Sequence, residues 1–318
     1  EFWLRLSEIT EFKHVKQNTV QVNWYDDGST ITTSKQDEFS KARDYIYKKY
    51  ADQINSIPDK EQIVAEFNAI WRNDFSTEPV VSIIALTYNQ LGYTKAFIES
   101  VLHSTAVPFE LILVDNNSSD NTSAYLTELA SQRNNIKVIL NKENMGFPGG
   151  VNQGIKAASG KYILIANNDI IVTENWLNRM VEAAESNPSV GIVGPVSNSV
   201  SGVQVDKEAK YSTIVEMFDY ARKISVNNKG KMFEFPRIAF LCTLVKKEVI
   251  DKIGGLDERF SPGNFEDDDF CLRAQIAGYK AVVLQDVFVH HFGSKSFTAE
   301  GNQNYIDRLE KNKQIFID

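Results

Sequence analysis

From residue 79 onward, short uninterrupted apolar runs alternate with stretches of helical spacing. Residues 80–87 form a continuous β-branched run, as expected of a strand covered on both faces. Residues 94–104 have helical spacing, 111–114 form a second buried run, 121–132 a helix and 136–140 a third strand. A helix at 151–158, a strand at 162–166 and a helix at 174–186 continue the order. Alternation of this kind predicts an α/β fold with a single mostly parallel sheet and helices on both faces. Farther along, the pattern predicts a helix near 213–223, another starting at 264–273, short strands at 281–284 and 287–289, and a terminal helix over 302–318.

Residues 1–78 read differently, being polar and rich in Lys, Gln and Asp. They predict a short β stretch at 19–25, a turn at Asp26-Asp27-Gly28 and helices over 35–54 and 60–72. Tyr45, Ile46 and Tyr50 share one helical face, and Ile63, Phe67 and Ile70 another. This gives a mainly helical N-terminal extension or linker (1–78), a main domain (79–300) and a C-terminal helix (301–318).

Composition narrows the classes. Hydrophobic residues make up 42% of the 318, enough for a proper core, and no run of about eighteen apolar residues predicts a membrane span. The first ten residues lack the basic region and cleavage site of a secretory signal. The chain opens without Met inside the apolar pattern Phe2, Trp3, Leu4 and Leu6, and further domains of a longer polypeptide are expected. The net charge of −8, with no basic stripe, argues against a nucleic-acid partner. Cys242 and Cys271 sit in apolar surroundings and read as reduced core thiols, which fits a cytoplasmic protein. Peripheral attachment at the inner membrane face is compatible with that reading.

Parallel sheets bind ligands at the carboxyl ends of their strands, and four predicted strands end in polar clusters. These are Thr87-Tyr88-Asn89, Asp115 to Asp120, the stretch from Asn144 and Gly146 to Asn152, and Asn167-Asn168-Asp169. Any one cluster is explained by turns and helix caps; four in succession weaken that explanation. Asp169 lies between two apolar runs, where a carboxylate is costly unless it caps, pairs or binds a cation. A hard divalent ion bridging a diphosphate fits it. Residues 146–154, rich in glycine, would let backbone approach a ligand ahead of a helix. Their spacing is not that of a dinucleotide fingerprint. Glu266, Asp267, Asp268 and Asp269 open a predicted helix. The dipole favours acids there, but four in a row exceed what one helix start needs. Asp269 is spaced to pair with Arg273, which leaves Glu266 and Asp267 near a reacting centre. His290 and His291 follow a strand and are open to structural, proton-shuttle or metal-ligand roles.

In order along residues 79–296, these motifs resemble the family 2 glycosyltransferases of GT-A fold, especially bacterial rhamnosyl- and galactosyltransferase-like members. The resemblance rests on residues 81–89, on 113–120, on Asn144-Met145-Gly146-Phe147 with Asn152-Gln153-Gly154, and on Asn167-Asn168-Asp169. It continues through residues 254–260, Glu266-Asp267-Asp268-Asp269 and His290-His291-Phe292-Gly293-Ser294. It implies a nucleoside-diphosphate sugar site at Thr87, Tyr88, Asn89, Asp115, Asn117, Asn144, Gly146, Asn152, Asn167 and Asn168. Asp169 ends the family's Asp-x-Asp motif, with Asn167 where the first Asp stands, and would hold Mn2+ or Mg2+ with His291 or His290. Asp267, beside Glu266, would be the general base of an inverting transfer of a hexose from a UDP- or dTDP-sugar. The acceptor would be a hydroxyl of a glycan, glycoprotein or glycolipid. Three other classes were weighed. A glycoside hydrolase leaves the strand-end clusters unexplained, and a sugar nucleotidyltransferase would want a basic loop where residues 87–92 have none. A non-catalytic nucleotide- or sugar-binding module would not need acids beside a metal site.

Overall fold

The continuous apolar runs become the central strands in the computed structural model, which describes residues 78–293 and 302–318. The elements expected within residues 1–78 therefore lie outside the described residues, apart from residue 78 itself. β1 (Val81–Thr87) and β2 (Phe109–Asp115) are almost wholly buried, as uninterrupted runs require. α1 (Leu91–Ser104) joins them. α2 (Thr122–Gln132), β3 (Ile136–Leu140), α3 (Gly146–Ala157) and β4 (Tyr162–Asn167) complete the first half.

The second half holds the two-residue β5 (Ile170–Ile171), α4 (Trp176–Glu185), β6 (Val190–Ser197) and α5 (Ile214–Asn227). After these come β7 (Met232–Glu234), β8 (Cys242–Lys246), α6 (Lys247–Ile253), α7 (Glu266–Ile276), β9 (Lys280–His291) and α8 (Asn302–Ile317). The sheet runs β3-β2-β1-β4-β8-β6-β9-β5, with β7 also on β9. β1, β2, β3 and β4 are mutually parallel, β8 is antiparallel to both β4 and β6, and β6 is parallel to β9. The carboxyl ends of β1, β2, β4, β6 and β9 thus share one edge. That edge carries Thr87, Asp115, Asn167, Ser197 and His291.

Three expectations change. α3 starts at Gly146, five residues earlier than the apolar pattern alone implied, because its glycines pack helix against sheet: a Cβ at Gly154 would collide with the buried Ile84 side chain. The two short strands near the end are one strand, β9. Its polar interruption, Asp286, is buried but paired with the Arg179 guanidinium and with the Gly230 amide at 2.7 Å. β6 was not predicted, because Gly191, Gly194 and Pro195 interrupt its run. Pro195 sits where the β6–β9 register shifts, so no ladder bond is asked of it. Cys242 and Cys271 are free, buried thiols as expected. Among the described residues no helix is long and apolar enough to cross a membrane.

Candidate active site

The loops after β1 and β2 are built by the chain's own polar groups. Asp115, at the buried end of β2, accepts from Thr87 Oγ1 (2.8 Å), Ser118 Oγ (2.5 Å), Ser123 Oγ (2.7 Å) and the Ser118 amide (3.1 Å). Four donors on one carboxylate fix the turn after β2; a nucleotide contact to Asp115 has to displace one of them. Asn89, in left-handed backbone (φ 56°), accepts the Ser119 amide at 2.8 Å and so ties the β1 loop to the β2 loop. Tyr88, the residue after β1, is 44% exposed. Asn117, also left-handed (φ 65°), is exposed beside it.

At α3 the protein itself makes the expected close approach. The exposed Asn144 accepts the Gly146 amide at 2.9 Å, and the next amide, Phe147, donates to Pro262 O at 2.9 Å. Gly146 has φ 71°, and any side chain there would collide with Ser261. Asn152 is engaged on both sides of its amide: it donates to Leu256 O (2.8 Å) and accepts the Leu256 amide (2.9 Å). The start of α3 therefore docks residues 254–262, and its first two amides are not open to a diphosphate.

Asn167 ends β4 and is partly exposed, while Asn168 donates to Thr94 Oγ1 at 2.9 Å, anchoring the turn to α1. Asp169 is buried, and its Oδ1 lies 3.3 Å from His291 Nε2. β5 brings them together by pairing Ile170 with His291 and Ile171 with His290. Adjacent strand residues point to opposite faces, so only one histidine can meet Asp169 in this way. His290 instead bonds Tyr211 Oη at 2.6 Å and packs edge-on against Phe292. Burial depresses the His290 pKa, helped by the neighbouring His291. Burial also opposes charge on His291, yet the Asp169 contact and the Ser199 carbonyl outweigh it and raise the pKa.

His291 Nδ1 lies 2.6 Å from Ser199 O, and its backbone bonds Asn198 in both directions. The carbonyl at Nδ1 orients the ring so that Nε2 faces Asp169. Among the described residues no group of three His, Cys, Asp or Glu side chains could hold a metal. Asp169 and His291 are a two-point set, and hard divalent ions commonly complete their shells with phosphate oxygens and water. The residues present fit that kind of metal.

The acidic run divides by partner. Asp269 pairs with Arg273 (2.6 Å), which also caps α6 through Ile253 O and Gly255 O. Asp267 Oδ2 accepts from Arg237 Nη2 at 2.8 Å, and Arg237 Nε makes a 3.1 Å ion-pair contact with Asp268 that is not aligned as a hydrogen bond. Glu266 is 8% exposed, and its Oε2 has no hydrogen-bond partner among the described residues. Burial raises the pKa of both acids, with Arg237 pulling Asp267 back down and the Asp267 charge pushing Glu266 up further.

Sequence reasoning missed Arg237, Asn198, Ser199 and Ser201. They join the two halves of the site: Ser199 and Asn198 hold His291, and Ser201 Oγ takes Arg237 Nη1 at 2.9 Å. The signal was a fifth polar cluster at a strand end, hidden because β6 went unseen.

The family model for Glycosyl transferase family 2 matches residues 82–254, which take in the strand ends from Thr87 to Ser197 and stop short of Glu266 and of β9. The chain belongs to the family 2 glycosyltransferases. Glycosyltransferase GlyG of Streptococcus pneumoniae is 25% identical over 216 residues, covering 65% of this chain and 68% of that protein. The y4gI protein of Sinorhizobium fredii is 26% identical over 246 residues, 72% of this chain; the chain spans only 26% of its length. Among solved structures, mannosyltransferase PcManGT from Pyrobaculum calidifontis, in complex with GDP-Man and Mn2+, superposes with a TM-score of 0.54. It is 17% identical, and the match covers 77% of this glycosyltransferase and 67% of the other. The fold is GT-A.

Proposed function

We propose that this family 2 glycosyltransferase moves a hexose from a UDP- or dTDP-sugar to a hydroxyl of a glycan, glycoprotein or glycolipid, with inversion and with Mn2+ or Mg2+. The observation that carries the reading is the segment Ser197 to Ser201, which ties the Asp169–His291 pair to the Arg237–Asp267 pair at one sheet edge. Asp169 and His291 would hold the ion. When bound, a divalent ion neutralises charge developing on the departing nucleoside diphosphate. Tyr88 offers its exposed face to the base, and the Asn89 and Asn117 loop surrounds the ribose. Asp267 takes the proton of the attacking hydroxyl while that oxygen bonds to the anomeric carbon and the bond to the diphosphate breaks. A carboxylate with a pKa raised toward neutrality is a better base for this than an ordinary one, provided it stays ionised; the Arg237 pair keeps it so. The Pyrobaculum enzyme's complex with GDP-Man and Mn2+ supports a metal, and leaves the base of the donor to be measured.

The test is calorimetry with UDP, dTDP, GDP and CDP, each with and without Mn2+. One nucleotide should bind tightly only with the ion, and Asp169→Ala and His291→Ala should reduce its affinity to the metal-free value. His290→Phe should keep the metal-dependent gain, since His290 faces Tyr211. Metal-dependent binding that survives Asp169→Ala rejects the ligand assignment. Nucleotide binding without turnover would indicate a non-catalytic module.

A further inference from the structure

The loop that leads into α7 is held in an unfavourable backbone conformation from outside. Asn264 and Phe265, immediately before Glu266, have φ of 80° and 72°. Non-glycine residues adopt this region at a cost, a phenylalanine especially, and such strain persists only where surroundings over-determine it. No side-chain cap closes the start of α7. The over-determination comes from α8. Asn312 is fully buried, and its Nδ2 lies 2.9 Å from Phe260 O, 3.0 Å from Gly263 O and 3.0 Å from Asn264 O. One turn earlier, Arg308 Nε bonds Asn264 Oδ1 at 3.3 Å. One turn later, the Phe316 ring meets the Phe265 ring with centroids 5.9 Å apart. These three positions are spaced i, i+4, i+8 and share one helical face, while Glu310, Lys311 and Lys313 on the other side are exposed.

We infer that α8 is a positioning element of the active site: Asn312 gathers the carbonyls of residues 260–264 and so fixes where Glu266 and Asp267 stand. The far side of the same loop is fixed by Phe147 N on Pro262 O. α3 and α8 therefore grip it from two directions, and the acids follow at its end. A buried amide whose two N–H groups are shared among three main-chain carbonyls is an expensive way to dock a helix that only had to cover apolar surface. It is well suited to holding a strained turn in one conformation. The inference rests on the reading of Asp267 as general base.

The experiment uses the whole chain. UDP-glucose, UDP-galactose, dTDP-rhamnose and GDP-mannose are supplied with Mn2+, water stands in for the acceptor hydroxyl, and released nucleoside diphosphate is measured. Asn312→Ala should lower turnover about a hundredfold, the effect of misplacing a reacting group by about 1 Å. The affinity for the matching nucleoside diphosphate with Mn2+ should not change, because the α8 contacts given above all fall on residues 260–265. Glu310→Ala should behave as wild type. Turnover undiminished in Asn312→Ala overturns the inference, and so does a loss of nucleotide affinity in proportion to turnover, which marks general disruption. Should Asn312→Ala fail to fold, Phe316→Ala is judged by the same two criteria. If the wild-type protein itself neither binds nor turns over any of these donors, the functional reading has failed instead, which is a separate result.

Discussion

Arg237→Ala is the perturbation that bears most directly on the chemistry. Its guanidinium lies 2.8 Å from the Asp267 carboxylate and touches Asp268 as well, so the substitution removes the cation paired with the proposed base among the described residues. Two charges at about 4 Å in an effective dielectric of about 20 interact by about 4 kcal/mol, an upper bound for this pair. Opposite charges at such distances lower a carboxylate pKa by about 1–3 pH units. The Arg237 side chain is 30% exposed, so solvent screens part of this, and a change of about 1–2 pH units is expected. Burial already lifts Asp267, and Arg237 acts downward against it. A general base works only when ionised, so turnover is lost as pH falls through its folded value. Removing Arg237 must therefore move the acidic limb of the pH–rate profile upward, by about 1–2 pH units. Below both limbs the rate falls about ten- to a hundredfold; above both it recovers. Adding Asp268→Asn removes the like charge that raises Asp267, and the double variant should shift part of the way back. The assay is release of nucleoside diphosphate from the matching nucleotide sugar across pH 5–9. A uniform loss at every pH would show that Arg237 acts on substrate, not through Asp267. An unmoved limb would exclude Asp267 as the titrating base.

Two further outcomes follow from the packing. Glu266 has its pKa raised chiefly by burial, so between its unfolded and folded values the native state holds more protons than the unfolded chain. Its contribution to stability therefore declines as pH rises through that window. Glu266→Gln should lose less thermal stability than wild type between pH 5 and 9, and parallel melting curves would refute a buried, ionising Glu266. Gly154→Ala forces a methyl into the Ile84 side chain. Overpacking of this kind costs about 1–3 kcal/mol, so the thermal midpoint should fall without loss of metal-dependent nucleotide affinity; an unchanged midpoint would mean α3 shifts freely on the sheet.

The first half of the fold was legible because its strands announce themselves. Val81 to Thr87 and Phe109 to Asp115 are buried on both faces, and such runs cannot be mistaken for turns. The loops at the strand ends followed, since each strand end is fixed by its strand. The second half was harder for two reasons. β6 carries two glycines and a proline that erase its pattern, yet its partners β8 and β9 hold it in place. β9 carries Asp286 in its middle, which reads as a break until Arg179, 107 residues away, is seen to neutralise it. Residue type alone was ambiguous elsewhere. Asn152 and Gly146 stood in a stretch with ligand-binding character, and the chain uses both to dock its own loop. His290 and His291 could not be separated from sequence, because only the pairing of β5 with β9 decides which face meets Asp169.

The connection between the two halves of the site explains why an arginine stands at 237. Ser201, Asp267 and Asp268 approach one side chain from different directions, and a planar fork with five donors can answer all three. A lysine is a point charge and would have to choose among them. The same segment that presents Ser201 presents Ser199 to His291, and Asn198 brackets the His291 backbone. A displacement of the segment after β6 would therefore move the imidazole and release the guanidinium together. The His291 side and the Asp267 side are not independently adjustable in this glycosyltransferase: the few residues after Ser197 set both.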